Sequence, residues 1–247
     1  MSDLDLARPP AARGSLVQHA MQAVTDHIRQ AGLKVGDTLP GEVHFSTALG
    51  VSRPVVREAF GALAALRLIE VANGRKPRVA AVDGSVFGAS LDHAVNTAQI
   101  TVPEVWEVRR TIERRTAGLA ALNRSREEAD AIGREVERMA DSLTDLSVLT
   151  AHDVAFHEAV ARASHNALYV QIVASFRQLM SVAVPVAWST RQAAARKELM
   201  VDRHRAVARA ILAGDADAAT AAMDDHFDVS IGDMLSGLAA RTSGDRP

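Results

Sequence analysis

Leu39–Phe60, LPGEVHFSTALGVSRPVVREAF, is the stretch on which the reading of this chain turns. Pro40 and Glu42 open a short helix of roughly residues 42–49, and Gly50 supplies a tight turn. Ser52 is an N-cap residue for a second helix that runs to about Leu66. That helix begins Ser52-Arg53-Pro54, and Arg57 follows one turn later on the face of Arg53. Two helices joined by a turn, the second opening on polar and basic residues, suit presentation of a helix to the major groove of DNA. Arginines placed there reach phosphates or guanine edges, and the first amides of the helix favour a phosphate oxygen. A solvated basic face is the plainer reading of two arginines alone.

The flanking sequence extends the pattern. Upstream, Leu16, Ala20, Val24 and Ile28 recur at helical spacing within Ser15–Gln30, with Gly32 just past the end as a C-cap glycine. Downstream, Leu68-Ile69-Glu70-Val71 and Arg75 to Val82 flank Asn73-Gly74, which predicts a β-hairpin with Gly74, Arg75 and Lys76 at its tip. Three helices and a hairpin over residues 15–82 predict a winged helix-turn-helix, preceded by a disordered leader at 1–14. Residues 83–100 show no strong period and are expected to link this unit to the next.

The rest of the chain reads as helix throughout. Thr101-Val102-Pro103-Glu104 and Ser125-x-x-Glu128 are capping boxes. Gly214 stops one helix and Asp215 caps another. Helices are expected at about 102–122, 126–141, 147–163, 167–182, 192–213 and 216–238, so residues 101–240 form an all-α antiparallel bundle. The fold class is mainly α: a winged helix-turn-helix followed by a helical bundle.

Composition agrees. Aromatic residues make up only 4% of the chain, which argues against a large β-sandwich. There is no cysteine, which excludes disulfides and thiolate metal sites and leaves His, Asp and Glu as metal ligands. No run approaches the length of a membrane span and no apolar signal core is present, so a cytoplasmic protein is expected. The net charge is −2, but residues 1–80 hold ten Lys+Arg against seven Asp+Glu and the remainder 18 against 23. A mildly basic front and an acidic rear suit DNA contact confined to the front.

Asp153 and His157 stand at i and i+4 on one helix, with His204 and His226 on two later helices. Neighbouring helices can converge these four side chains. Three imidazoles and a carboxylate suit Zn²⁺, Ni²⁺, Mn²⁺ or Fe²⁺ and leave positions open to a ligand oxygen. Read singly, each histidine is a surface or hydrogen-bonded residue, as His19, His27, His44, His93, His152 and His165 are expected to be.

The front of the chain resembles the GntR family of bacterial transcription regulators. The resemblance is carried by Leu39-Pro40-x-Glu42, Gly50-Val51-Ser52-Arg53-Pro54 and Val56-Arg57-Glu58-Ala59. It implies DNA-contacting roles for Arg53 and Arg57. Val43 departs from the family, which has arginine there, and Asn73-Gly74-Arg75-Lys76-Pro77-Arg78 replaces the usual glycine-rich wing tip. The rear resembles the FCD ligand-binding domain of the FadR subfamily, through Glu107-Val108-Arg109-x-x-Ile112-Glu113, Asp153-x-x-Phe156-His157, Ser164-x-Asn166, His204-x-x-Val207-x-x-Ala210-Ile211-x-x-Gly214-Asp215 and Ala219-x-x-x-Met223-x-x-His226. It implies that Asp153, His157, His204 and His226 hold a divalent metal, most simply zinc. It also implies that Arg109 pairs with an effector carboxylate through a bidentate fork. On spacing alone Arg109 is equally a surface ion pair with Glu113, and Asn166 is equally a helix cap or an effector contact. The expected protein is a homodimeric regulator, of repressor type, that reads a palindromic operator and answers to a sugar acid or hydroxy acid. Two other readings stay open: a metalloenzyme acting on a small carboxylate, and a regulator whose metal is structural or sensed directly.

Overall fold

The computed structural model describes residues 13–72, 74–190 and 194–244, and the leader expected at 1–14 falls almost wholly outside them. The chain divides into two compact units, residues 1–86 and 87–247.

The first unit is built from α1 (Arg13–Gln30), α2 (Glu42–Leu49), α3 (Arg53–Ala65), β1 (Ile69–Glu70) and β2 (Arg78–Val79). Gly50 follows α2 with φ +64°, the left-handed conformation that glycine adopts without steric cost. Its amide donates to the Ser46 carbonyl, and the Ser46 hydroxyl donates to the Val51 carbonyl at 2.7 Å, so the turn is closed twice. Val24, Leu39, Phe45, Val56, Phe60, Leu63 and Ile69 pack together as the core beneath α3.

The hairpin is present but smaller than the sequence suggests. Its strands pair as Ile69 with Val79 and Glu70 with Arg78, and residues 71–77 connect them in place of a two-residue turn. Asn73 lies outside the described residues, while Gly74 does take a positive φ of +71°. The physical reason is Pro77, which has no N–H with which to extend the ladder toward the tip. Its carbonyl instead accepts the Leu39 amide at 2.8 Å, and Val79 exchanges backbone bonds of 2.9 Å with Asp37 and Gly36. The wing is therefore stitched at its base to the residues that lead into α2.

The second unit is a bundle of α5 (Val102–Asn123), α6 (Arg126–Asp141), α7 (Leu146–Ala163), α8 (Ala167–Ser175), α9 (Arg177–Ser189), α10 (Ala194–Ala213) and α11 (Ala216–Gly244). Both expected capping boxes form, with Glu104 reaching back to Thr101 and Glu128 to Ser125. Phe156, Ile132, Met139, Leu149, Ile211, Met223 and Phe227 are among the fully buried side chains of its core.

Two expectations need correction here. Residues 83–100, expected as a linker without strong period, hold a helix, α4 (Ser85–Asn96), whose Leu91 and Val95 pack on the bundle core. The helix expected at 167–182 is two, α8 and α9, bent by 55°. At the break the Phe176 amide bonds three residues back, to Val173, and the Ser175 hydroxyl takes the Ile172 carbonyl, so the regular ladder is interrupted. Pro185 sits inside α9. The helix expected from 192 is described from Ala194. Among the described residues no single helix is long and apolar enough to cross a membrane.

Candidate functional site

In the first unit, α3 turns Val55, Val56, Ala59, Phe60 and Leu63 inward and leaves Arg53 and Arg57 exposed on one face. Ser52 occupies the N-cap position with extended backbone, but its hydroxyl makes no capping hydrogen bond. The expected cap is positional only: Pro54 has no N–H, and the Val55 and Val56 amides donate to the Ser52 carbonyl at 3.1 and 3.3 Å rather than to the hydroxyl. Arg57 is held by Glu42 through Nε and Nη2 at 3.2–3.3 Å, and the hydrogen bond and charge of Glu42 raise its pKa further above the usual arginine value. Arg75 and Lys76 are exposed on the wing loop, and Val43 is 53% exposed.

In the second unit, α7 supplies Asp153 and His157, α10 supplies His204, and α11 supplies His226, all buried. The candidate ligand atoms of the three histidines all lie within 4.8 Å of one another. Asp153 joins them, with Oδ1 at 3.3 Å from His204 Nε2 and Oδ2 at 4.0 Å from His157 Nε2. All four residues read from the sequence are thus brought together.

Hydrogen bonding orients the imidazoles. His204 Nδ1 lies 2.9 Å from the Met200 carbonyl, which can only accept, so Nδ1 carries a proton there. In a neutral imidazole Nε2 then bears a lone pair, and that lone pair faces the Asp153 carboxylate. Two acceptors face each other unless a cation stands with them, either a second ring proton or a metal ion. His157 is placed similarly but by an ion-pair contact, with Nδ1 against Glu113 Oε2 and Nε2 turned toward Asp153. Burial opposes ionisation of Asp153, but hydrogen bonding and charge from His204, with further charge from His157 and Arg109, outweigh it and hold the carboxyl at about 2. Burial likewise opposes ionisation of Glu113, and the charges of Arg109 and His157 overcome it and lower its pKa.

Arg109 also reaches this centre. Its Nε donates to Glu113 Oε1 at 2.7 Å, and its guanidinium lies over the Trp106, Phe227 and Phe176 rings at 5.0, 5.4 and 5.8 Å. The pair with Glu113 exists, but it is buried at 4% and 1% side-chain exposure rather than on the surface. A cavity of about 20 Å³ is lined by Arg109, Asp153, His157, His226 and Trp106, among others. That is room for about one water. Asn166 does not belong to this lining: it is exposed, and its side-chain oxygen accepts the Leu168 and Tyr169 amides at the start of α8. Its chemistry is spent on the cap. Glu113 was visible in the sequence only as the i+4 partner of Arg109, and nothing in that spacing marks its second contact, to His157.

The FCD domain family matches residues 104–229, and the family described as bacterial regulatory proteins, gntR family, matches residues 16–79. The Glc operon transcriptional activator of Escherichia coli K12 is 30% identical over 200 residues, covering 78% of this chain and 79% of that protein. The HTH-type transcriptional regulator LutR of Bacillus subtilis is 29% identical over 222 residues, covering 85% and 96%. The HTH-type transcriptional repressor NanR of Citrobacter rodentium is 26% identical over 227 residues, covering 90% and 86%. Among solved structures, Streptococcus agalactiae GntR superposes with a TM-score of 0.63 at 23% identity, covering 86% of this chain and 97% of that one.

Proposed function

This chain belongs to the GntR family of bacterial regulatory proteins with an FCD domain, and on that premise we propose that its buried histidine cluster binds a divalent metal which, with Arg109, holds the carboxylate of a small organic acid and so sets affinity for DNA. That it is a DNA-binding transcriptional regulator follows from the family; the metal and the acid are the proposal. The single observation that carries it is His204, whose Nδ1 is committed to the Met200 carbonyl while Nε2 faces Asp153. A buried lone pair opposite a buried carboxylate calls for a cation, and three convergent imidazoles offer one a site. The donor set of His157, His204, His226 and Asp153 suits zinc first, with nickel, manganese or iron as alternatives.

When bound, the metal supplies positive charge to which an acid's oxygens attach. The rest falls to the chain. Arg109 offers a planar fork for a carboxylate, and the Trp106 and Phe227 rings hold the guanidinium in place and exclude water. The cavity of about 20 Å³ does not admit an acid of several heavy atoms as it stands. A ligand of that size therefore binds a rearranged state better than this one, and that difference in affinity is what it can transmit. A sugar acid or hydroxy acid supplies both a carboxylate for Arg109 and a second oxygen for the metal. In this reading two copies of the chain, in the cytoplasm, place two α3 helices in successive major-groove half-sites of a palindromic operator. One relative is named an activator and another a repressor. Repression relieved by the acid is the form we adopt.

The small cavity also favours a second reading, in which the metal is itself the signal. One experiment separates them: operator affinity measured by fluorescence anisotropy for zinc-loaded and chelator-stripped protein, with and without a panel of hydroxy and sugar acids. The proposal expects an acid to shift operator affinity at least tenfold in loaded protein and not in stripped protein. A response to chelation that ignores every acid favours metal sensing. Failure of zinc-dialysed protein to retain metal by elemental analysis, with no difference from His204→Ala plus His226→Ala protein, sinks both. Neither the families nor the relatives are enzymes, and Glu158, the nearest acidic neighbour on α7, is held bidentate by Arg177 at 2.8 Å.

A further inference from the structure

Glu113 is a residue of α5 that touches both halves of the proposed site. Its carboxylate is buried at 1% side-chain exposure, and its two oxygens serve different helices. Oε1 accepts the Arg109 Nε proton at 2.7 Å, one turn back on α5. Oε2 contacts Nδ1 of His157 on α7. The close approach of this carboxylate favours the tautomer with the ring proton on Nδ1, which leaves Nε2 as the nitrogen that points toward Asp153, 4.0 Å away. The same carboxylate fixes the guanidinium by its Nε edge and Nη1 contacts the Met180 thioether, so that an incoming carboxylate meets Nη2 and must displace that weak sulfur acceptor to engage Nη1 as well. The aromatic rings around Arg109 leave the guanidinium few other orientations.

We propose that Glu113 is a positioning residue that orients His157 for the metal and Arg109 for the effector carboxylate through its two oxygens at once. The inference rests on reading the cluster as a metal-dependent carboxylate site. Its consequence is that metal affinity and the presentation of the arginine depend on one side chain that is neither a ligand to the metal nor a contact to the acid. Glutamine at 113 retains the size of the side chain but replaces one acceptor oxygen with an amide NH₂. It can still accept from one neighbour and no longer from both, so either His157 or Arg109 loses its partner.

The test uses full-length protein and the metal alone as probe. Zn²⁺ affinity is measured by chelator competition, and the visible spectrum of the Co²⁺-loaded form is recorded, for wild type and Glu113→Gln. The expected result is a loss of about 10- to 100-fold in Zn²⁺ affinity, the usual effect of removing an outer carboxylate, together with a shifted Co²⁺ absorption band. A folded Glu113→Gln protein with wild-type Zn²⁺ affinity overturns the inference and leaves the metal reading standing. Wild-type protein that binds no Zn²⁺ overturns both. Should the variant not fold, ¹⁵N spectra of zinc-loaded wild type decide: His157 protonated at Nδ1 and an exchange-protected Arg109 Nε–H support the assignment. His157 protonated at Nε2, or an Arg109 Nε–H that exchanges freely, overturns it.

Discussion

Two of the molecule's arginine–glutamate pairs do opposite things. Arg57 and Glu42 meet on the first unit at 71% and 29% side-chain exposure, and Arg109 and Glu113 meet inside the second at 4% and 1%. The chemistry is the same and the surroundings decide its use. An exposed pair is hydrated, screened and weak, so its arginine can exchange the carboxylate for a phosphate or a base edge at little cost. A buried pair has left water, and neither partner can lose the other without stranding a charge. The outer arginine is thus held loosely and the inner arginine is held tightly.

Breaking each pair should show the difference. Arg109→Ala leaves Glu113 buried and uncompensated and should cost about 3–5 kcal/mol in chemical denaturation. Arg57→Ala should leave the denaturation midpoint where it is. Its effect should appear in operator binding, weakened roughly five- to hundredfold, with a shallower salt dependence if the contact is to phosphate. Arg53→Ala should behave alike, since both side chains are exposed on one face of α3. An Arg109→Ala protein of wild-type stability would mean that the inner pair is not closed off from solvent.

The acid limb of stability sharpens the same contrast. In metal-free protein Asp153 is held at about 2, below the ordinary carboxylate value near 3.9. A lowered folded-state pKa contributes stability that is full above about pH 4 and disappears as pH falls toward 2. The contribution is on the order of 2 kcal/mol. Asp153→Asn should remove that part of the slope of unfolding free energy against pH between 4 and 2. Glu42→Gln, on the exposed pair, should leave the unfolding free energy at neutral pH within about 1 kcal/mol of wild type. An unaltered slope in Asp153→Asn would mean that the carboxylate is not ionised against the histidines in the folded state.

Much of this was legible from local chemistry. Gly50, the Thr101–Glu104 and Ser125–Glu128 boxes, Gly214 and Asp215 each satisfy helix-end groups within a few residues, so the helices they bound fall where the sequence places them. Asp153 and His157 were legible together because helical spacing puts them on one face; that His204 and His226 join them is what the FCD resemblance implied. What was hidden depends on contacts between distant segments. The α8–α9 break has neither glycine nor proline at Phe176, so the run over 167–182 reads as one helix. The short strands of the wing follow from Pro77 being tied to Leu39, 38 residues earlier. Glu113 gave an i+4 signal to Arg109, but its burial and its contact to His157 arise only when α5 packs on α7. Asn166 could cap or bind, and the chain alone does not choose.

The smallest effects concern two glycines, one in each unit. A Cβ on Gly88 would stand 2.8 Å from the Ser175 carbonyl oxygen, backbone that cannot turn aside, so Gly88→Ala should force α4 off the α8–α9 break. The expected cost is about 1–3 kcal/mol, the range for overpacking a close contact. A Cβ on Gly61 meets nothing within 4 Å, and Gly61 lies inside α3, where glycine is the poorer helix former. Gly61→Ala should therefore stabilise the first unit by about 0.5–1 kcal/mol. Gly61 also follows Arg53 and Arg57 at four-residue intervals along the exposed face of α3. Recognition helices touch base edges with their N-terminal residues, so operator affinity should stay within about twofold of wild type while stability rises. A stabilised Gly61→Ala protein with lost operator affinity would show instead that the third turn of α3 lies against DNA, and that glycine there serves close approach.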